Sequence, residues 1–444
     1  MLDFIARFIP STLRSRLASG VAWVTLDAVA SRGVMLVVML VAARILGASN
    51  FGELTAVLSS VTLFGAFVGE SMRVTAIKQI ASADLSDSTR AGQVFGLTAL
   101  IALSCSGVVS IVLWLLSDFV ATDALNAPHL ASGLKTAVLL VFMDTIGAAQ
   151  RGTLMGLGAP RTMAFASVCS GGVAAALAIA VGHRADVHSY VLLLTAASAA
   201  GAIFRGIDIR RRISSLGIRI AYRVPAHELS VLWRFSLPAV LNSLTWAPIN
   251  WLGMTMLANQ PNGFSQIGLL GVATQWFACL LFFPNIIANA LLPMLSRAYA
   301  TGSHQAVARM LRLCIRSNLL LSIPAAILIA VASPWIVRDL YGPSFAGGAS
   351  TLCLVVAAAA PASLLNLLGY VLAAKDRMWD SFLAGVVWAA VYLAAAYFGV
   401  GLGWGANALA CAMLVAYSAK LGTQIWLFQR SRMNMETEPA AAQP

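Results

Sequence analysis

GVAWVTLDAVASRGVMLVVMLVAA, residues 20–43, is 24 residues long and carries two charges, Asp27 and Arg32. An α-helix rises 1.5 Å per residue, so this run reaches across the roughly 30 Å of hydrocarbon in a bilayer. Eleven comparable runs follow near 52–71, 92–116, 133–155, 162–182, 187–206, 231–257, 266–292, 310–332, 347–373, 381–399 and 403–428. Short polar gaps separate them. The pattern predicts an all-α polytopic membrane protein of twelve transmembrane helices with little chain outside the bilayer. Composition agrees: 59% of the 444 residues are hydrophobic, the mean hydropathy is +0.83 and 10% are charged, against about 25% in soluble proteins. In a soluble chain the net charge of +12 would suggest nucleic acid. Here the cations lie in the gaps, so no nucleic-acid partner is expected.

Those cations set the topology. Gaps on the side of the N-terminus hold 23 Lys and Arg, and the opposite gaps hold Arg44, Arg184 and Arg338. Positive residues are retained on the cytoplasmic side, so both termini are expected in the cytoplasm. The first run is too long for a signal h-region and keeps Arg32 inside it, so no cleavable signal peptide is expected.

The chain also repeats. With a constant offset of 216, Gly47 matches Gly263, Gly52 matches Gly268, Leu54 matches Leu270, Ser117 matches Ser333, Asp123 matches Asp339 and Arg161 matches Arg377. Six helices per half is an even number, so both halves enter the membrane in the same sense. This predicts two parallel six-helix repeats about an axis along the membrane normal, an architecture of alternating-access transporters with substrate handled between the halves. The expected organisation is an amphipathic cytoplasmic segment (1–19), a first lobe (20–206), a basic cytoplasmic linker (207–230), a second lobe (231–428) and a disordered cytoplasmic tail (429–444).

Charges inside the spans are costly, roughly 2.5–3.5 kcal/mol each near the bilayer centre, so each needs a partner or a wet cavity. Asp27, Arg32, Glu70 and Asp144 stand out as candidates for ion coupling in a central cavity. Counting along the helices puts Arg32 and Asp144 at similar depth and suggests that they pair. Arg151 lies two turns from Asp144 on the same face. Lys135 points the opposite way. The second-half equivalents, Ser243, Pro248, Ile286 and Ala360, are all uncharged, so the repeat can be built without these charges. A buried structural ion pair is the bland alternative.

The second half offers amides. Asn242, Trp246 and Asn250 share one helix face, with Asn285 and Asn289 on the next helix and Asn366 beyond. Amides paired with an indole face suit sugars, because amides supply both donors and acceptors. Amides also glue membrane helices together. The cytoplasmic mouth is rich in arginine, among them Arg73, Arg151, Arg161, Arg205, Arg210, Arg211, Arg212 and Arg234. Arginine suits diphosphate, although topology alone accounts for any single one. Arg32, Arg73, Arg151 and Arg234 are the candidates for a pyrophosphate head group. The six cysteines form no CxxC and read as small apolar helix residues. No Walker A, HExxH or GxSxG motif occurs in the sequence, and no metal or organic cofactor is expected.

Several stretches resemble a known family. ARILGASNFGEL (Ala43–Leu54), QRGTLMGLGAPR (Gln150–Arg161), IGLLGVATQ (Ile267–Gln275), ALLPMLSRAYATGS (Ala290–Ser303) and DLYGPSFAGGA (Asp339–Ala349) are similar to the signatures of polysaccharide exporters and O-antigen (Wzx-type) flippases. That family belongs to the multidrug/oligosaccharidyl-lipid/polysaccharide (MOP) flippase superfamily. The resemblance implies a MATE-like, multi-pass protein of the bacterial inner membrane that flips a polyprenyl-diphosphate-linked oligosaccharide to the periplasmic leaflet. It implies alternating access driven by an H⁺ or Na⁺ gradient, with a polysaccharide polymerase and a chain-length regulator as partners. The chain departs from the related lipid II flippases, which usually have extra C-terminal helices and a denser charged motif in helix 1; only Ser31, Arg32 and Gly33 match it here. Helix 7 carries Asn250 where members often have an acid. The rival readings are a multidrug or organic-cation antiporter on the same fold, which would need an acidic cavity, and a polytopic glycan ligase or acyltransferase, which would need a large periplasmic loop or a catalytic His/Asp pair.

Overall fold

A computed structural model describes residues 11–66, 68–83, 87–182, 186–221, 246–282, 284–286, 304–374 and 378–437. Among these residues the chain is helical throughout, and nine helices are long and apolar enough to cross a bilayer. One of them, Thr25–Ala66, contains a break. At Gly47 the backbone turns to φ 70°, ψ 175°, a conformation open to glycine and strained for other residues. It divides Ser11–Ala66 into α1 (11–46) and α2 (48–66). Then follow α3 (Gly69–Ser82), α4 (Ser88–Phe119), α5 (Ala131–Gly156), α6 (Pro160–Val181) and α7 (Val187–Ser215). After a helical stretch α8 (246–258) come α9 (Gly263–Leu280), α10 (His304–Trp335), α11 (Ala349–Ala357), α12 (Ala359–Ala374), α13 (Met378–Gly401) and α14 (Ala406–Thr437). The predicted crossings 231–257 and 266–292 are described only in part, where α8 and α9 occupy them.

The bounds differ from expectation at three places. Residues 72–91, read as a gap, are largely the helix α3, which packs on α5. The start of the expected 207–230 linker is the last two turns of α7, and 218–221 then fold back onto α4, where Ala221 N–H donates to the Gly92 carbonyl at 3.0 Å. The polar tail begins inside α14, which runs to Thr437. Hydropathy marks where a helix leaves the hydrocarbon, not where it ends, so polar helical extensions are invisible to it.

The contacts divide the chain into two units, Met1–Leu46 with Ala56–Ala247, and Gly47–Thr55 with Pro248–Pro444. Within the second unit, α2 and α9 meet backbone to backbone. A Cβ on Gly52 would lie 1.7 Å from the Phe264 carbonyl oxygen, and a Cβ on Gly268 would lie 2.1 Å from that of Ala48. Since 48 pairs with 264 and 52 with 268, the contact is reciprocal under the 216-residue offset. The repeat persists in irregular detail. Five-residue π-helices occupy Val120–Ala124 and Ile336–Leu340, also 216 apart. Each closes with a bond from the next residue, Leu125 N–H to Val120 O at 3.0 Å and Tyr341 N–H to Ile336 O at 3.2 Å.

Candidate functional site

The first unit encloses a polar cavity of about 320 Å³. Its wall combines Ser31 and Val34 of α1, Thr62 of α2, Asp144 and Arg151 of α5, Ser167 and Ser170 of α6, and Ser198 and Arg205 of α7. Two helices set its chemistry. Asp144 and Arg151 are seven residues apart on α5, and Ser198 and Arg205 are seven apart on α7. Seven residues is almost two whole turns, so each pair lies along one face. Ser198 donates to Asp144 Oδ1 at 2.7 Å, and that contact places α5 and α7 in register.

A glycine lies within each pair. A Cβ on Gly147 would come within 2.8 Å of one terminal nitrogen of Arg205, and one on Gly201 within 3.1 Å of the other. The two bare backbones therefore make the space the guanidinium occupies. Arg205 is 5% exposed, and its Nε has no hydrogen-bond partner. Among the described residues neither Arg205 nor Arg151 makes an ion pair or hydrogen bond. The carboxylates of Asp144 and Asp27 attract Arg205 and the Arg151 guanidinium repels it. Asp144 is not packed away; its side chain opens into the cavity.

Asp27 accepts a 2.5 Å bond from Ser167 Oγ and ties α1 to α6. The same seam carries Trp23 against Phe165, with centroids 5.9 Å apart, and Arg161 over the Trp23 ring at 5.2 Å. Arg161 therefore has a packing partner of its own. Arg212 bonds Asp208 at 2.6 Å, and Lys135 pairs with Asp118 at 2.8 Å.

The expected pairing of Arg32 with Asp144 is not what the structure contains. Arg32 is exposed and does not line the cavity, whereas its neighbour Ser31 does. The cations acting on Asp144 are Arg151 and Arg205. Depth fixes height along a helix but not azimuth, and one residue step turns the side chain by about 100°. The structure thus brings together Asp144 and Arg151, with Asp27 nearby. It adds Arg205, which the sequence presents only as one of the mouth arginines, and the hydroxyls of Ser167, Ser170 and Ser198, which carry no signal in the sequence. Arg73 is half-buried on α3. The Glu70 side chain, Arg234, Asn242 and Asn289 lie outside the described residues. Trp246 is exposed and Asn250 half-buried on α8. Asn285 Oδ1 accepts a 2.6 Å bond from Asn366 Nδ2, which is helix-to-helix bonding within the second unit.

The repeat supplies a physical control for the cavity. The equivalent of Asp144 is Ala360. The equivalent of Arg151 is Leu367, which is fully buried in an apolar cluster with Val307, Cys314 and Val371. At this position one unit holds a charge facing a cavity and the other holds packed hydrocarbon.

Comparison with known proteins adds an independent finding. The model of the family described as polysaccharide biosynthesis protein matches residues 17–299, and that of the lipid II flippase MurJ matches residues 214–440. The EPS I polysaccharide export inner membrane protein EpsE of Ralstonia nicotianae is 27% identical over 395 residues, covering 88% of each chain. Its counterpart from Ralstonia solanacearum is 26% identical over 397 residues, again covering 88% of each. Among solved structures, an inward-facing multidrug resistance MATE family transporter of the MOP superfamily superposes with TM-score 0.74 at 14% identity, covering 94% of this chain and 96% of that one. A MOP superfamily transporter from Pyrococcus furiosus gives TM-score 0.67 at 12% identity, covering 94% and 95%. These two likenesses establish a shared fold.

Proposed function

The chain belongs to the polysaccharide biosynthesis protein family, a multi-pass polysaccharide flippase of the MOP superfamily and a transporter rather than an enzyme, and from that premise we propose that it moves a polyprenyl-diphosphate-linked oligosaccharide from the cytoplasmic to the periplasmic leaflet of a bacterial inner membrane by ion-coupled alternating access. The observation that carries the coupling is Asp144, held by Ser198 at 2.7 Å and open to a cavity inside the first unit. A carboxylate there binds H⁺ or Na⁺ and changes the charge of the lobe's interior by one unit. The matched position in the second unit is Ala360, so this carboxylate has no counterpart there.

In this reading the arginine-rich end faces the cytoplasm, and both termini lie there. Arg73, Arg151 and Arg234, with Arg32, meet the diphosphate. Asn250, Asn285 and Trp246, with Asn242 and Asn289, border the sugar path. Repeat units delivered outside would pass to a polymerase and a chain-length regulator. An organic-cation antiporter on the same fold is disfavoured, because it would need an acidic cavity, and two arginines beside one carboxylate line this one.

The test is transport itself. The wild-type gene and Asp144→Asn are expressed in a strain lacking its own exporter, with membrane levels matched, and surface glycan is scored. Proteoliposomes with an imposed proton or sodium gradient then report flipping directly. Asp144→Asn should reduce gradient-driven flipping by about tenfold or more. Wild-type flipping by Asp144→Asn would overturn the coupling role.

A further inference from the structure

We infer that the first unit's cavity contains a seat for a phosphate-class anion, built by Arg151 and Arg205, which the anion and the Asp144 carboxylate compete to neutralise. The starting point is that, among the described residues, two neighbouring guanidinium groups have no direct bond to any carboxylate. A buried charge is tolerated when it is paired and hydrogen-bonded. Arg205 is 5% exposed and its Nε has no partner. Arg151 lines the same cavity and, among the described residues, also makes no ion pair or hydrogen bond. Arg151 repels Arg205, and Asp144 and Asp27 attract it without bonding it, so the guanidinium donors stay open to an anion.

The surroundings fit one. Gly147 and Gly201 give the Arg205 fork its place, and a planar fork with free donors is the group that grips phosphate oxygens. The hydroxyls of Ser167 and Ser170 line the same wall. About 320 Å³ accommodates a phosphate or diphosphate. The charged groups facing the seat are Asp144 and Arg151 from α5, Arg205 from α7 and Asp27 from α1; α2 and α6 contribute only hydroxyls as polar lining. Asp27 is already held by Ser167, which leaves Asp144 as the carboxylate open to the cavity.

The regulatory consequence rests on reading Asp144 as the coupling group. While Asp144 is ionised it supplies part of the countercharge. Once it takes up a proton, Asp27 alone remains as countercharge to the two arginines, the cluster carries one net positive charge and the anion binds more tightly. Proton and anion therefore enter together and leave together. By linkage the enhancement is mutual.

The experiment uses purified full-length protein in detergent and follows thermal unfolding and binding heats with three probes: inorganic sulfate, inorganic pyrophosphate and a polyprenyl diphosphate in mixed micelles. Sulfate keeps its charge over the working range, so any pH effect belongs to the protein. Sulfate affinity should rise as pH falls and Asp144 takes up its proton. Asp144→Asn should show the tighter affinity at every pH. Arg205→Gln and Arg151→Gln should each weaken binding about tenfold or more, with Arg205→Lys in between; Arg151→Gln serves if Arg205→Gln does not fold. Binding by all three probes assigns the seat to phosphate chemistry in general, and binding by the lipid form alone assigns it to the substrate head group. No binding by any probe, or unchanged binding in both arginine variants, overturns the seat. An Asp144→Asn variant with wild-type pH dependence overturns the competition. Because no glycan is needed, these results stand apart from the transport assay: loss of flipping in Asp144→Asn without anion binding would retain the flippase and remove the seat.

Discussion

Ser198 Oγ reaches Asp144 Oδ1 at 2.7 Å from a helix 54 positions later in the chain. The same step of 54 carries Gly147 to Gly201 and Arg151 to Arg205, so α5 and α7 present Asp-x-x-Gly-x-x-x-Arg and Ser-x-x-Gly-x-x-x-Arg side by side. One hydrogen bond thus reports the register of a whole polar face. Ser198→Ala should lower gradient-driven flipping about threefold to tenfold, and adding it to Asp144→Asn should cost little further, because the bond then positions no titrating carboxylate. A double-mutant cycle in proteoliposomes checks this. Additive losses would mean that the two residues act separately.

Gly147→Ala probes the cradle. Its Cβ would stand 2.8 Å from a guanidinium nitrogen of Arg205, so the arginine must move. Overpacking of this kind costs about 1–3 kcal/mol. The expected result is a lowered Tm in detergent that Arg205→Ala largely restores in the double variant. Gly172→Ala is the control, since it is exposed with open space around it and surface changes stay within about 0.5 kcal/mol. A Gly147→Ala penalty that survives removal of Arg205 would place the clash elsewhere.

The register between α5 and α7 was present in the sequence, yet only the structure makes it meaningful. Hydropathy located the spans because twenty apolar residues have one common use. The offset of 216 was legible because Gly47, Gly52 and Asp123 mark turns and close approaches, where few residues are tolerated. Asp144 and Arg151 were legible as a helical pair at seven-residue spacing. Arg205 was not, because it stands at the head of a basic segment and reads there as a topology signal; the glycine four residues before it was the available clue. Arg32 was misplaced for the converse reason, since depth is legible and azimuth is not. The Asn285–Asn366 bond joins residues far apart in sequence, and no local pattern announces it.

Gly52 and Gly268 should behave as a matched pair. Each faces a carbonyl of the other's helix, and a Cβ added at either would fall only 1.7 and 2.1 Å, respectively, from that oxygen. Neither backbone can yield by a rotamer change. Gly52→Ala and Gly268→Ala should each destabilise the second unit by about 3 kcal/mol or more, whereas Gly65→Ala, with nothing nearby, should leave Tm within a degree or two. Thermal unfolding of the three variants checks the order. Normal folding of Gly52→Ala would contradict the close approach.

Asn285 and Asn366 should be coupled energetically. Their 2.6 Å amide bond lies in the second unit, where such bonds contribute about 0.6–1.7 kcal/mol. Asn285→Ala and Asn366→Ala should each cost stability of that order, with the double variant little worse than either. Stability that changes while flipping per folded molecule is unchanged would assign Asn285 to helix bonding. Flipping that falls at constant stability would assign it to the sugar path.

The N-terminus of α7 provides the pH test outside the spans. Asp186 Oδ1 accepts from Ser189 N–H at 2.9 Å and from Ser189 Oγ at 2.5 Å. These bonds favour the carboxylate and hold its pKa below the ordinary value, with the Ser189 hydroxyl as the largest cause. A group whose folded pKa is depressed contributes stability that is present above its unfolded value and lost as pH falls through the folded one. Hydrogen exchange at the first turn of α7 should therefore be constant from neutral pH down to about pH 4, once corrected for the intrinsic pH dependence of exchange, and accelerate below it. Asp186→Ala should exchange faster at every pH, by the roughly 0.5–2 kcal/mol of a lost cap. Asp186→Asn keeps an acceptor without a titrating charge, so its protection should be pH-independent. Equal pH dependence in wild type and Asp186→Asn would show that another group governs this helix end.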